Sequence, residues 1–270
     1  MKLMTRAPRG LPWIPVRPAR GVVIGCIFGC LALSAVARAG VRTALAEQIA
    51  DDSAAMPPAH DKAYWQAIKA ANYAVPKGES PAALILELTD ILGSTDPELR
   101  DGFGYEIPAD WVYRQKLLAP DELRTWMRKL EANLQVKIGE RDTDSVLLRS
   151  FSALDLSLIA AADLQEPFLE PAEFESLLRS ALAYLAAEKD VRGFVPGKGW
   201  HHSVAHTADL LKFLARDPQL EKAEQARILN AIADKLFAPE TGVLTHGEDE
   251  RLAAAVLSII RRPDFQTEVF

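Results

Sequence analysis

From Asp61 onward, apolar side chains return every three or four residues rather than every second one. That is the period of an amphipathic helix and not of a half-buried strand. Helix starts are marked by local chemistry. Ser80-Pro81 and Asp96-Pro97 each put a capping side chain before a proline at the first helical position. Pro108, Pro120 and Pro171 are similarly placed just inside periodic segments. The pattern predicts helices over 61–73, 81–93, 97–106, 109–117, 121–134, 144–162, 171–190, 201–216, 220–236 and 248–261, and no segment alternates as a strand would. The stretch 144–162 is largely apolar, rich in leucine and serine, which predicts a central buried helix. Gly193, behind the run at 185–190, is expected to end a helix. About ten helices on short connections imply an all-α fold, an antiparallel helical-hairpin array or α-solenoid-like single domain. Residues 92–99 and 214–220 share a helix–Asp-Pro–helix punctuation, which is turn chemistry and too little to define a repeat.

The pattern is different before the body begins. Residues 21–37 form an uncharged apolar stretch behind a basic leader, and residues 1–46 hold seven Lys and Arg with no Asp or Glu. That order is the plan of a secretory signal, with small-x-small sites at Ala37-Arg38-Ala39 and Ala44-Leu45-Ala46. An uncleaved membrane anchor fits equally, although the stretch is just short of the roughly 20 residues a spanning helix prefers. Either way the leader stays cytoplasmic and the body lies on the far side. The expectation is a periplasmic or other extracytoplasmic protein, secreted or anchored to the inner membrane by residues 21–37. The chain then divides into a signal peptide or anchor at 1–46, a linker at 47–60 and an all-α domain at 61–270.

Charge and cysteine content narrow the function classes. Apolar residues make up 49% and charged residues 25% of the chain, ordinary values for a packed globule. Beyond residue 46 there remain 24 basic against 37 acidic residues, a net of −13. Such a body repels nucleic acid and anionic headgroups, so no nucleic-acid partner is expected and membrane contact is confined to the N-terminal segment. Cys26 and Cys30 both lie in the apolar N-terminal run. The body therefore has no disulfide framework, no thiolate zinc site and no cysteine nucleophile.

Candidate chemistry concentrates in one place. Four of the five histidines fall in the last third, three of them within GWHHSVAHTADLL at 199–211. On a helix with His202 at zero, His206 falls at about 40° and Asp209 at about −20°, one narrow stripe. Val204, Ala208, Leu211 and Ala215 gather on the opposite side. Two imidazoles at i and i+4 with a carboxylate at i+7 suit a divalent transition metal such as zinc, or a hydrogen-bonded acid–base group. The stripe is not the zincin motif, because Ser203 stands where that motif has glutamate. Hydrogen bonding that merely fixes helix packing is the competing explanation.

Charged residues elsewhere form a candidate supporting network: Arg149, Glu188, Asp190, Arg192, Asp249 and Arg251. Arg149 interrupts an apolar run and needs a carboxylate, with Asp190, Asp209 or Asp249 as candidates. Thr245 and Glu248 match a capping box opening the last helix.

These segments resemble a bacterial family, domain of unknown function 2785. The matching text is LRD at 99–101, RSF at 149–151, EKDVRG at 188–193, GWHHSVAHTADLL at 199–211 and EDERLA at 248–253, within about residues 61–262. The resemblance implies an all-α domain with those segments as its hallmarks, and it carries no activity or ligand.

Two functions fit the residues. One is a ligand- or partner-binding module that holds a peptide, glycan or protein at a polar His/Asp site. The other is a metal-dependent or acid/base hydrolase using His202, His206 and Asp209, with Glu188, Asp190 or Asp249 completing the set. Exposure separates them: histidines lining a cleft favour catalysis, and histidines enclosed and paired disfavour it.

Overall fold

The computed structural model describes residues 60–265. The signal or anchor at 1–46 and all but the last residue of the linker at 47–60 lie outside them. The described part is all-α apart from one two-stranded hairpin.

Local capping sets the first elements. Asp61 Oδ1 accepts the Tyr64 N–H at 2.9 Å and starts α1, Lys62–Ala70. Ser80 Oγ accepts from Ala83 N and Pro81 occupies the first turn of α2, Pro81–Asp90. The next segment departs from expectation. Instead of two ordinary helices over 97–106 and 109–117, a π-helix at Glu98–Tyr105, one α-turn at Glu106–Pro108 and a second π-helix at Ala109–Arg114 run on from one another. Pro108 does not start a helix here. It brings no N–H to the ladder at the point where the ladder changes width. We call this whole stretch the wide helix.

Further along, α3 spans Pro120–Asn133, α4 Ser145–Gln165 and α5 Pro171–Ala187. In α3 and α5 a glutamate three residues in reaches back to the entering backbone N–H, Glu122 to Ala119 and Glu173 to Glu170. A short hairpin follows, β1 Phe194–Val195 paired antiparallel with β2 Gly199–Trp200. Then come α6 Ser203–Leu214, α7 Lys222–Phe237, a 3₁₀ turn at Pro239–Thr241 and α8 Glu248–Ile260.

As the sequence predicts, α4 is the central helix, buried around nearly its whole circumference. By length and composition it could cross a membrane, yet 83% of its apolar window is buried inside the fold, as for a core helix. It packs most extensively on α6, and also on α3 and the second π-helix; α6 packs in turn on α8 and α5. Contacts therefore radiate from α4 and α6, and a solenoid of successively stacked hairpins is not established by them. Three tryptophans fill the core, and two of them use their indole N–H on neighbouring chain, Trp111 on Tyr73 O and Trp126 on Thr89 Oγ1.

Gly193 has a different role from the expected helix stop. Helix α5 already ends at Ala187, and Gly193 is absent from the positive-φ glycines. A Cβ there would stand 2.5 Å from His246 Nδ1 and 2.6 Å from Glu248 Oε1. Close approach of the α8 entry, rather than backbone handedness, requires the glycine.

Candidate functional site: a histidine-lined cleft

A cleft of about 730 Å³ opens between the wide helix, α4, β2, α6 and the start of α8. His202, His206 and Asp209 all line it, so the expected stripe does face one space. It does so by a different route. The helix expected from 201 begins only at Ser203. His201 N–H donates to Gly193 O at 2.8 Å and His202 N–H to Arg192 O at 3.0 Å. These bonds hold both residues to the hairpin, and His202 takes a left-handed conformation, φ 44° and ψ 33°. A non-glycine residue is uncommon there, and such strain clusters at functional sites.

His206 is 4% exposed, and burial pushes its imidazole well below the ordinary range. It is neutral near pH 7. Its Nδ1 lies 2.9 Å from Ser150 Oγ, and the Ser150 hydroxyl also bonds the His201 carbonyl. A hydroxyl has one proton, and a carbonyl can only accept it. Ser150 therefore donates to His201 O and accepts from His206, which fixes the Nδ1–H tautomer. The Nε2 lone pair makes no hydrogen bond among the described residues. Phe151 meets the same ring edge-on at 4.8 Å. Ser150 is fully buried, on the Nδ1 side of the imidazole, and so is not a nucleophile for this histidine.

His202 is also held below its ordinary range, chiefly by burial, with the Glu248 carboxylate opposing. Its Nε2 is 3.7 Å from Glu248 Oε1, too far for a hydrogen bond, and has no other partner. The indole of Trp200 lies over the ring with centroids 4.2 Å apart. Glu248 does not form the expected capping box with Thr245. It is buried at the first turn of α8, behind Gly247, and accepts from His246 N at 2.8 Å.

Asp209 is not a free ligand. One oxygen accepts from Lys212 Nζ at 2.8 Å and the other from Arg251 Nη1. Among the described residues no three His, Cys, Asp or Glu side chains come together to hold a metal ion.

The charged network divides into parts that stand behind the cleft and parts that face it. Arg149 is fully buried and pairs with Glu188, Nε to Oε2 at 2.6 Å and Nη2 to Oε1 at 3.1 Å. Its carboxylate is thus none of Asp190, Asp209 or Asp249. Glu188 comes from the extended residue just past α5, which reaches α4 where the other three do not. Asp190 pairs with Arg192, Oδ2 to Nη2 at 2.6 Å, and its carbonyl accepts from Ser203 Oγ at the start of α6. These four residues anchor the histidine segment from behind and do not line the cleft. Asp249 is exposed on α8 and makes no hydrogen bond among the described residues. Arg251 faces the cleft.

A family model described as protein of unknown function, DUF2785, matches residues 134–270, just over half of the chain. The chain belongs to the DUF2785 family. No curated protein and no solved structure matches it. The DUF2785 match begins at the end of α3 and takes in α4, the hairpin, α6 and α8. The LRD segment at 99–101 and the wide-helix wall lie before it.

That wall holds the site residues that sequence periodicity does not reveal. Asp101, Tyr105 and Arg114 line the cleft from the two π-helices, and π-turns are frequent at functional sites. Burial raises the Tyr105 phenol, with Asp155 and Asp209 adding to the effect. Arg100, fully buried, ties the wide helix to the hairpin by donating to Lys198 O at 2.9 Å. Its guanidinium lies 4.7 Å from the Phe151 ring centre. Asp155, fully buried on α4, has no partner for either oxygen, and burial holds it protonated well above the ordinary carboxylate range. The LRD text gave the one sequence signal for Arg100 and Asp101; nothing marked Tyr105 or Asp155.

Proposed function

We propose that this domain binds a ligand in the histidine-lined cleft. The observation that carries the reading is that His202, His206 and Asp209 line one cleft of about 730 Å³, within the usual range for small-molecule sites. Aromatic side chains and a few fixed polar groups share that lining, and the polar groups are anchored from behind by buried ion pairs. The test is a thermal-shift screen of the full chain against glycans and short peptides, run beside Ala109→Trp. Ala109 is half-buried on the cleft wall, and an indole there fills the space. A true cleft ligand raises the melting temperature of the parent and leaves the variant unmoved. Ligands that stabilise both equally would place binding elsewhere.

The bare Nε2 of His206 favours a second reading, an acid/base hydrolase. Against it, an imidazole held well below its ordinary range is a weak base near pH 7. A zinc-dependent version needs a third ligand, and Asp209 is engaged by two cations. Metal analysis of the purified chain separates these: stoichiometric zinc, lost in a His202→Ala, His206→Ala double variant, would favour the hydrolase over the binding module.

We also propose a location outside the cytoplasmic membrane. Its support is the basic leader ahead of residues 21–37, and fusion to a reporter enzyme active only after export tests it.

A further inference from the structure

The cleft carries three chemically different surfaces, and together they specify more than a generic ligand. The first is an acceptor. His206 presents an uncharged Nε2 lone pair that its own surroundings leave unused, because Ser150 occupies the other nitrogen. A group bound against it must bring a proton, as a hydroxyl or an N–H does.

The second surface is a pair of arginines with unused donors. Arg251 is 44% exposed and gives one N–H to Asp209; Arg114 is 65% exposed and gives one to Asp110. A guanidinium has five N–H groups, so both retain donors, and both line the cleft. The two cleft carboxylates are already matched, Asp209 by Lys212 and Arg251, Asp101 by the buried Arg100. What the lining still seeks is an acceptor of negative charge, and planar carboxylates fit arginine best.

The third surface is flat and apolar. Trp200 is 39% exposed, with His202 stacked at 4.2 Å and Phe194 and His246 at its edges. The ring is held by its neighbours and still reaches the cleft. Tyr105, Tyr113 and Phe213 add further faces.

Hydroxyl donors, a carboxylate and a flat C–H face occur together on a sugar acid. Extended peptides are commonly read through a sheet edge or an apolar helix groove, and the cleft lining offers neither. Resting on the binding reading above, we infer that the ligand is an acidic oligosaccharide. One ring lies on Trp200, a hydroxyl donates to His206 Nε2, and a ring carboxylate meets Arg251 or Arg114.

Titration calorimetry on the purified full chain, in detergent, tests this with three probes: tetragalacturonate, its methyl ester and oligoglutamate. The ester keeps ring shape and hydroxyls and removes the charge. The expected result is binding of the acid at least about tenfold tighter than the ester, and weakening with added salt. Arg251→Gln should remove most of that preference, with Arg114→Gln as the second variant should the first fail to fold. Trp200→Ala should weaken acid and ester alike by about tenfold. Equal binding of acid and ester would overturn the carboxylate assignment. Oligoglutamate binding as tightly as the sugar acid would overturn the sugar. Should none of the three bind, while some other ligand stabilises the parent and not Ala109→Trp, the sugar-acid inference falls and the cleft reading stands. If no ligand distinguishes the parent from Ala109→Trp, both fall.

Discussion

Ser150 Oγ stands 2.9 Å from His206 Nδ1 and gives its own proton to the His201 carbonyl. A serine on the central helix thereby decides which nitrogen of a histidine on α6 stays bare. Nitrogen-15 NMR of the imidazoles should show His206 as the neutral Nδ1–H tautomer across about pH 5 to 8, the window in which an ordinary histidine titrates. Ser150→Ala strands a buried N–H and a buried carbonyl. It should cost roughly 1–3 kcal/mol per group in denaturant unfolding and release the tautomer. A histidine that titrates normally in the parent would contradict the assignment.

Arg149 and Glu188 form a buried pair whose halves should not be separable. Glu188→Ala leaves a fully buried guanidinium with only the carbonyls of Val136 and Lys137 and the Ser145 hydroxyl as acceptors. The expected loss is about 3–5 kcal/mol. An Arg149→Met, Glu188→Met double variant should recover much of it. Equal destabilisation by single and double variants would mean that packing, not charge, sets the cost.

Asp217 makes stability fall as pH rises. It is buried beside Asp163, and burial together with that neighbour pushes its carboxyl from the ordinary 3.8 up to about 6, against the Gln219 N–H and Arg262. A raised folded-state value means that the unfolded chain gives up its proton first. The contribution is therefore whole below about pH 4 and is lost as pH climbs through about 6, up to about 3 kcal/mol. Asp217→Asn should flatten that part of the pH–stability curve and exceed the parent at pH above about 7. An unchanged slope would remove Asp217 as its source.

Gly193→Ala should destabilise by roughly 1–3 kcal/mol, because the added carbon falls on His246 and Glu248. Adding His246→Ala should return part of the loss. A neutral Gly193→Ala would show that the α8 entry can move away.

Legibility followed the reach of the forces involved. The caps at Asp61 and Ser80, the prolines opening α2, α3 and α5, and the all-round burial of α4 rest on neighbours within a turn, and periodicity exposed them. The stripe His202, His206 and Asp209 was legible as a shared face. That His202 sits outside the helix was not, because it depends on hydrogen bonds to Arg192 and Gly193 across the hairpin. Arg149 announced itself as a misplaced cation; its partner Glu188 lies 39 positions away and only the packing of α4 near the end of α5 selects it. The π-turns were hidden for another reason, since their residues carry no pattern that separates them from an α-helix.

Those turns make chain length a part of what the cleft wall encodes. A π-turn closes one residue later than an α-turn, so the stretch at Glu98–Tyr105 holds a residue more than an α-helix would need. Losing any one residue there would let the α ladder form and swing all that follows by about 100° around the axis. Tyr105 would leave the cleft, and the arginine at 114 would turn with it. Side chains along this wall can drift one at a time; insertions and deletions cannot.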